Sequence, residues 1–475
     1  PRVNMVNCLK KFYLKELHEL YSTVFGLVIE TQMGTKMSSY SSYQYQLSYT
    51  YYMLGFISLL WMSCSSTVNL APSSPPIPQV NSLLVLPEQR SIPDNIRSVQ
   101  FFSSSQASSP LVSARLGSSD RLVLRFDELS EISGMFRIHF SHRNKDWTQS
   151  NLPPTWFMNT PNQRIVQGGS KNQSNSIPFH SYDIQFSLRD LEFLASGFYF
   201  IHVSDYTTGI ELFSLPFALS EQRGTLELDG ETLYNKGNLG AAVDRIFAEF
   251  SYPEFIDMPV FDLSFQVLQD GFLRKAILAR GKDFSEEKVA KFYLEESQSY
   301  PANTRYYGLN LSTFSLSNRD VLEYEESDEL PQITLREDFI SFSDTPYTLQ
   351  SMYGNPSSRI TARYAIINFR FNPMGKGPNY NDELFVVGDF NQWSENKQHK
   401  MKWNPELRLF EAQALLKEGT YRYTYATRNG NDLDIIELGS SLTKENQWYT
   451  GIIFYRDPNR QYDRILYIGK LQLSP

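Results

Sequence analysis

Cysteine is nearly absent from this chain: its 475 residues hold two, Cys8 and Cys64, both upstream of the region whose pattern looks folded. That excludes a disulfide framework, a Cys-ligated zinc site and a Cys nucleophile from the globular body. Clustered basic charge is lacking as well. Lys and Arg number 44 against 52 Asp and Glu, a formal net charge of -8, and no Lys/Arg stripe is present to neutralise a phosphate backbone, so nucleic acid is excluded as a partner. The chain has no Gly-x-Ser-x-Gly elbow, no phosphate-cradling Gly-rich loop and no His-Glu-x-x-His helix. Its six histidines form no metal pattern: His139 and His142, three apart, project to opposite faces of a strand, and His180 and His202 fit no ligand spacing. The acidic run Glu323-Tyr-Glu-Glu-Ser-Asp-Glu329 reads as a solvated loop rather than a carboxylate pair fixed in a cleft. No catalytic residue, cofactor or metal is expected.

Long apolar runs are also scarce. The nearest approach is Tyr51-Tyr-Met-Leu-Gly-Phe-Ile-Ser-Leu-Leu-Trp-Met-Ser-Cys64, too short to span a bilayer and suited to the apolar core of a signal peptide. Cys64 is followed by a Ser/Pro-rich tether, the placement of a lipobox cysteine that is acylated after cleavage. A cleaved signal without lipid and a retained apolar segment are the alternatives. Residues 1–64 are therefore read as an upstream segment and 65–94 as a tether, with the fold beyond.

What the chain does have is aromatic, alternating sequence: 41% of residues are hydrophobic and 14% aromatic, enough for two to four domains. Val99-Gln-Phe-Phe102, Leu122-Val-Leu-Arg-Phe126, Phe136-Arg-Ile-His-Phe140, Tyr182-Asp-Ile-Gln-Phe186 and Gly197-Phe-Tyr-Phe-Ile-His-Val203 have strand length and β-propensity, separated by Gly, Ser, Asn and Pro clusters. No helical period is sustained there. The expected fold is all-β, tandem immunoglobulin-like β-sandwiches: an N-terminal sandwich over 95–219, a less regular middle β-rich domain over 220–345, and a C-terminal immunoglobulin-like sandwich over 359–473. In the middle domain, 284–298 is compatible with either a helical turn or a long strand.

The richest stretch is Phe385-Val-Val-Gly-Asp-Phe-Asn-Gln-Trp393, answered by Met401-Lys-Trp403 and by Gly419-Thr-Tyr-Arg-Tyr-Thr-Tyr425. It reads as an apolar strand, a Gly-Asp turn, an aromatic loop, and a strand whose tyrosines at spacing two share one face. Trp393 and Trp403 either pack their own core or are exposed to a partner. Asp146 and Trp147 lie in a polar loop in which Asp146 and Ser150 are placed to hydrogen-bond local backbone N–H groups. Arg456 and Arg464 flank a turn of mixed charge and either pair with Asp457, Asp463 or Glu445 or face a partner. These six residues, with Cys64 for lipid, are the candidate functional positions.

Several stretches stand out in order along the chain: Pro110 to Asp127, His142-Arg-Asn-Lys-Asp-Trp-Thr-Gln-Ser150, Ser196 to Val203, the Gly388 to Trp393 loop, Leu416 to Tyr425, Gly439 to Tyr449, Phe454-Tyr-Arg456 and Tyr462-Asp-Arg464. Together they resemble the type IX secretion system plug protein family of Bacteroidetes-type bacteria, over most of residues 95–473. The resemblance implies a periplasmic protein, held at the outer membrane, that sterically occludes the β-barrel translocon while it is not exporting. The Gly388 to Trp393 loop is also similar to glycogen-binding modules, which implies the alternative of a carbohydrate-binding envelope lipoprotein stacking sugars on Trp393 and Trp403.

Overall fold

The computed structural model describes residues 86–474 apart from 106–110, 174–176, 235–241, 303, 305, 328–329, 340–354, 359–360, 374–382, 396, 430–431 and 435–445. The upstream segment with Cys64, and most of the tether, lie outside the described residues.

Six sheets pair into three sandwiches. In the first, one sheet holds the strands Ile96–Ser103, Arg121–Glu128, His180–Ser187 and Ser170–Lys171; the other holds Ser113–Arg115, Glu211–Ser220, Gly197–Asp205, Met135–Arg143 and Arg164–Gln167. Alternation builds its core. Leu122, Leu124 and Phe126 from one sheet meet Phe136, Ile138 and Phe140 from the other, as period-two patterning requires. The second sandwich sets Thr225–Tyr234, Ala242–Ser251, Val289–Tyr293 and Gly281–Asp283 against Ile277–Leu278, Leu263–Gln269, Gln447–Arg456 and Asp463–Leu473. Residues 284–298 resolve into the strand Val289–Tyr293 and a 3-10 turn, Glu296–Gln298. The third sandwich sets Tyr307–Leu311, Gly419–Asn429 and Glu383–Gly388 against Val321–Glu325, Gln332–Leu335, Tyr364–Asn372, Leu409–Lys417 and Lys402–Asn404. Tyr421, Tyr423 and Tyr425 all enter its core.

The all-β expectation holds. The grouping of strands departs from chain order: Gln447–Arg456, placed by its sequence position with the C-terminal unit, instead hydrogen-bonds to Leu263–Gln269 in antiparallel register from Leu263↔Tyr455 to Gln269↔Tyr449. The chain leaves the third sandwich and returns to complete the second.

Two strands lose their alternation, and this fixes how the sandwiches meet. In Gly197–Asp205 and Gln447–Arg456 nearly every residue is buried. Tyr199, Ile201 and Val203 face the first core while Phe198 and Phe200 face outward; Tyr449, Ile453 and Tyr455 face the second core while Ile452 and Phe454 face outward. The outward residues of the two strands pack on one another. A strand covered on both faces reads as a continuous apolar run, and Gly197-Phe-Tyr-Phe-Ile-His-Val203 is such a run. Residues Gln79–Pro475 accordingly belong to one compact unit.

Candidate functional site

Three seams join the sandwiches in pairs, and most of the candidate residues lie in them. The seam between the first and second sandwiches holds four. The loop after Met135–Arg143 turns tightly, with Trp147 N–H donating to the Asn144 carbonyl at 2.9 Å and Asn144 N–H to the Thr148 carbonyl at 2.9 Å. Asp146 stabilises the turn, its Oδ1 accepting from the Thr148 N–H at 3.0 Å and hydroxyl at 2.6 Å. Trp147 takes a left-handed backbone, φ 67°, which folds its ring back into the seam. The ring is 4% exposed and stacks on Phe198 at 4.3 Å and 16°. It is an internal wedge, not a presented aromatic.

Across this seam, the Arg464 guanidinium forks onto Glu221, Nε to Oε1 and Nη2 to Oε2, both at 2.8 Å. Ser196 Oγ donates to the same Glu221 Oε1 at 2.7 Å. Burial works against the Arg464 charge, but the Glu221 carboxylate more than offsets it and holds the group further above its usual range. Asp457 adds a longer contact at 3.5 Å. Lys145 N–H donates to Asp463 Oδ2 at 3.0 Å, and Arg456, 41% exposed at its side chain, lies 3.4 Å from Asp463. Both arginines pair within the chain; Glu445 lies outside the described residues. Asp146, Trp147, Arg456 and Arg464 thus converge on one seam from sequence positions some three hundred residues apart.

The seam between the first and third sandwiches rests on residues that sequence reading did not single out. Asp127 Oδ2 accepts from Lys417 Nζ at 2.8 Å and from the Tyr364 hydroxyl at 2.7 Å, and its Oδ1 accepts from Ser181 Oγ at 2.6 Å. The ion pair is almost dry, with side chains 2% and 5% exposed. Lys417 Nζ also sits 4.6 Å from the Phe179 ring centre, a cation–π contact in a desolvated setting. A cleft of about 270 Å³ opens beside this latch, bordered by Arg125, Tyr182, Gly169 and Ser357. Nothing in the sequence marks Asp127 or Lys417: each stands on the outward face of its strand, where a docked charge and a solvated one look alike.

The seam between the second and third sandwiches holds Trp393. Its loop is pinned by Asp389, which accepts from Trp393 Nε1 at 3.0 Å and from the Arg422 N–H at 2.8 Å. The Trp393 ring is 6% exposed. Arg422 lies over it at 4.7 Å, and Phe272 of the neighbouring sandwich and Tyr306, which leads into Tyr307–Leu311, pack edge-on at 5.3 and 5.1 Å. No face is open to a sugar. Trp403 stands in a different cluster, half-buried on the third core and edge-on to Phe410 at 5.0 Å. The alternative of a shared Trp platform finds no support here: the Trp393 ring is consumed by a seam, and the reading that it packs inward agrees with its burial. In the same seam the Tyr306 hydroxyl donates to buried Asp270 at 3.0 Å, and burial pushes the Asp270 carboxyl up to about 6 against the opposing pull of Arg422.

The histidines of the first sandwich are engaged in internal contacts. His139 and His202 stack at 4.5 Å, and His202 bridges Ser141 and Glu211. Burial, with the neighbouring His202, pushes His139 down to about 4, and burial does the same to His142. Among the described residues no group of three or more His, Cys, Asp or Glu is arranged to hold a metal ion.

Comparison with known proteins adds three findings. A hypothetical protein from Parabacteroides merdae, known from its crystal structure, has the same fold: TM-score 0.72 at 19% identity, covering 81% of this chain and 99% of that one. A biofilm-associated protein's BSP domain aligns at a TM-score of 0.15 and 8% identity over 81% of this chain and 60% of its own. No curated protein matches the chain. The sequence itself matches a family model over residues 96–221, the span of the first sandwich, and that model is the type 9 secretion system plug protein 1st domain.

Proposed function

We propose that this chain is the plug of a type IX secretion system, a periplasmic stopper that occludes the outer-membrane β-barrel translocon while the channel is at rest. The observation that carries the reading is the match of the first sandwich to the plug protein 1st domain. The architecture supports it on physical grounds. A stopper works by excluding volume, so it needs stiffness and a defined surface rather than a catalytic group. Domains joined by small polar interfaces move relative to one another by default. Here each pair of sandwiches is joined by side chains buried between them, backed by a buried or partly buried charged or hydrogen-bonded polar group: Arg464–Glu221, Lys417–Asp127, and Asp270 with Tyr306. Networks of this kind resist displacement because opening any one leaves buried polar groups unpaired.

Retention at the outer membrane is assigned to docking on the barrel and to lipid on Cys64, since the more than one acyl chain of a bacterial lipoprotein is enough for stable anchoring. Among the described residues no helix is long and apolar enough to cross a membrane. The test is affinity capture of the tagged full chain from detergent-solubilised envelopes of its own organism. Stoichiometric recovery of a very large outer-membrane β-barrel supports the plug. Recovery of the chain alone, from envelopes shown to contain that barrel, overturns it.

A further inference from the structure

At one end of the second sandwich an apolar patch stands uncovered. Between the strands Ala242–Ser251 and Leu263–Gln269 the chain forms a loop and one short helical turn, Pro259–Asp262. Within seven residues Phe255 is 38% exposed, Met258 56%, Val260 51% and Phe261 77%. The loop is nonetheless fixed. Ile256 is buried in the core, the Phe261 and Asp262 N–H groups donate to the Met258 carbonyl at 3.1 and 3.0 Å, and Phe255 packs edge-on to Tyr455 at 5.6 Å with the Arg464 guanidinium 5.2 Å from its centre. The turn that follows Gln447–Arg456 carries Arg460 against Trp156 at 5.4 Å, so a half-exposed aromatic of the first sandwich adjoins the same turn. A preorganised cluster of large apolar side chains in water marks an interaction surface.

Its charge says what fits. The segment from Tyr252 to Leu263 contains Glu254, Asp257 and Asp262 and no Lys or Arg. Glu254 is paired, with Lys288 at 2.9 Å. Asp257 and Asp262 are near enough to repel: burial and the Asp257 charge both push the Asp262 carboxyl up, and no cation among the described residues pairs with either. Like charges left side by side at an apolar rim are resolved by a partner that brings the opposite charge. The same carboxylates repel an anionic lipid surface.

We propose that Met258, Val260 and Phe261, with Asp257 and Asp262, form a docking surface for a partner polypeptide segment that presents an apolar side chain beside Lys or Arg. The identity of that partner as the translocon rests on the plug reading; its chemistry does not. The test uses the purified full chain carrying a photo-crosslinking phenylalanine analogue at position 258 or 261, irradiated with envelopes of its organism and mapped by mass spectrometry. Ile132, 80% exposed in the loop before Met135–Arg143 and so at the end of that strand remote from the seam, is the control position. The expected result is a crosslink into a Lys- or Arg-bearing apolar segment, absent from position 132 and reduced at least about tenfold by Asp257→Lys with Asp262→Lys. Crosslinking no stronger than from 132, capture of phospholipid alone, or indifference to charge reversal overturns the surface. If a crosslink meeting these criteria lands in a protein other than the barrel, the surface stands and the plug reading falls. If affinity capture recovers the barrel and 258 and 261 do not crosslink, the surface falls and the plug stands.

Discussion

Replacing Lys417 by Met tests whether the seam between the first and third sandwiches is held by a charge rather than by packing. Met keeps most of the aliphatic stem that lies beneath Phe179 and Tyr364 and removes only the ammonium. Asp127 then retains donors from Tyr364 at 2.7 Å and Ser181 at 2.6 Å but loses its counter-ion in a site where its side chain is 5% exposed. Breaking one side of a buried pair costs about 3–5 kcal/mol, because the surviving charge is left in low dielectric. For a unit of this size that corresponds to a fall in Tm of roughly 4–6 °C. Removing both charges, Lys417→Met with Asp127→Asn, should recover at least about half of the loss, since a neutral amide still accepts from Tyr364 without a stranded charge. Thermal and urea unfolding of the four proteins of the cycle provide the numbers, and amide exchange along Tyr364–Asn372 reports whether the seam itself has opened. A cost below about 1 kcal/mol for Lys417→Met, or a double variant as unstable as the sum of the singles, would refute the latch.

Asp270, held at about 6 against an unfolded value near 4, makes a contribution to stability that is full below about pH 4 and lost as pH rises through 6, by about 3 kcal/mol. Asp270→Asn removes it, so the Tm of the variant minus that of the native chain should climb between pH 4.5 and 7.5; a pH-independent difference would contradict the assignment. His139 and His142, both pushed down to about 4, act in the opposite sense, with stability present above about pH 6.5 and lost as pH falls through 4, so the Asn variant should fail more steeply in acid than the native chain. Arg464→Met should cost about 2–4 kcal/mol through the stranded Glu221, whereas Arg456→Ala removes a 41% exposed partner from a buried Asp463 that keeps the Lys145 N–H and should cost less, about 1–2 kcal/mol; equal costs in denaturant melts would show that the fork is not special. Gly197→Ala, at φ 146° with its new Cβ driven into His142, should destabilise by about 2 kcal/mol or more, and a neutral result would mean that the His142 pocket is looser than described.

Individual strands were legible because alternation is written into the side chains: the tyrosines of Gly419-Thr-Tyr-Arg-Tyr-Thr-Tyr425 go where period two sends them. Sandwich membership was not. The pairing of Gln447–Arg456 with Leu263–Gln269 spans nearly two hundred residues, and no turn chemistry between them fixes which sheet a returning strand joins. The aromatic loops were found but their direction was not. Trp147 and Trp393 sit among Asp, Asn and Gln, the composition of a solvent-facing turn, yet both take left-handed backbones, φ 67° and 56°, that turn the ring inward. Only a neighbouring sandwich makes that orientation favourable, so the signal lies in tertiary contacts that the local sequence does not contain.

This inversion bears on what the molecule can do. A tryptophan exposed on a single sandwich is a recognition element, but the same tryptophan seated against a second sandwich becomes part of the core, and its loop is then as rigid as the strands it joins. The loops of Trp147 and Trp393 are both spent in this way. The partner surface proposed above lies instead in the 252–262 loop, whose apolar side chains remain in water beside Asp257 and Asp262, neither of which has an ion-pair partner among the described residues. A body that spends its aromatics on internal seams gains stiffness and loses the sugar-stacking faces of those rings, an exchange that suits the steric stopper proposed above.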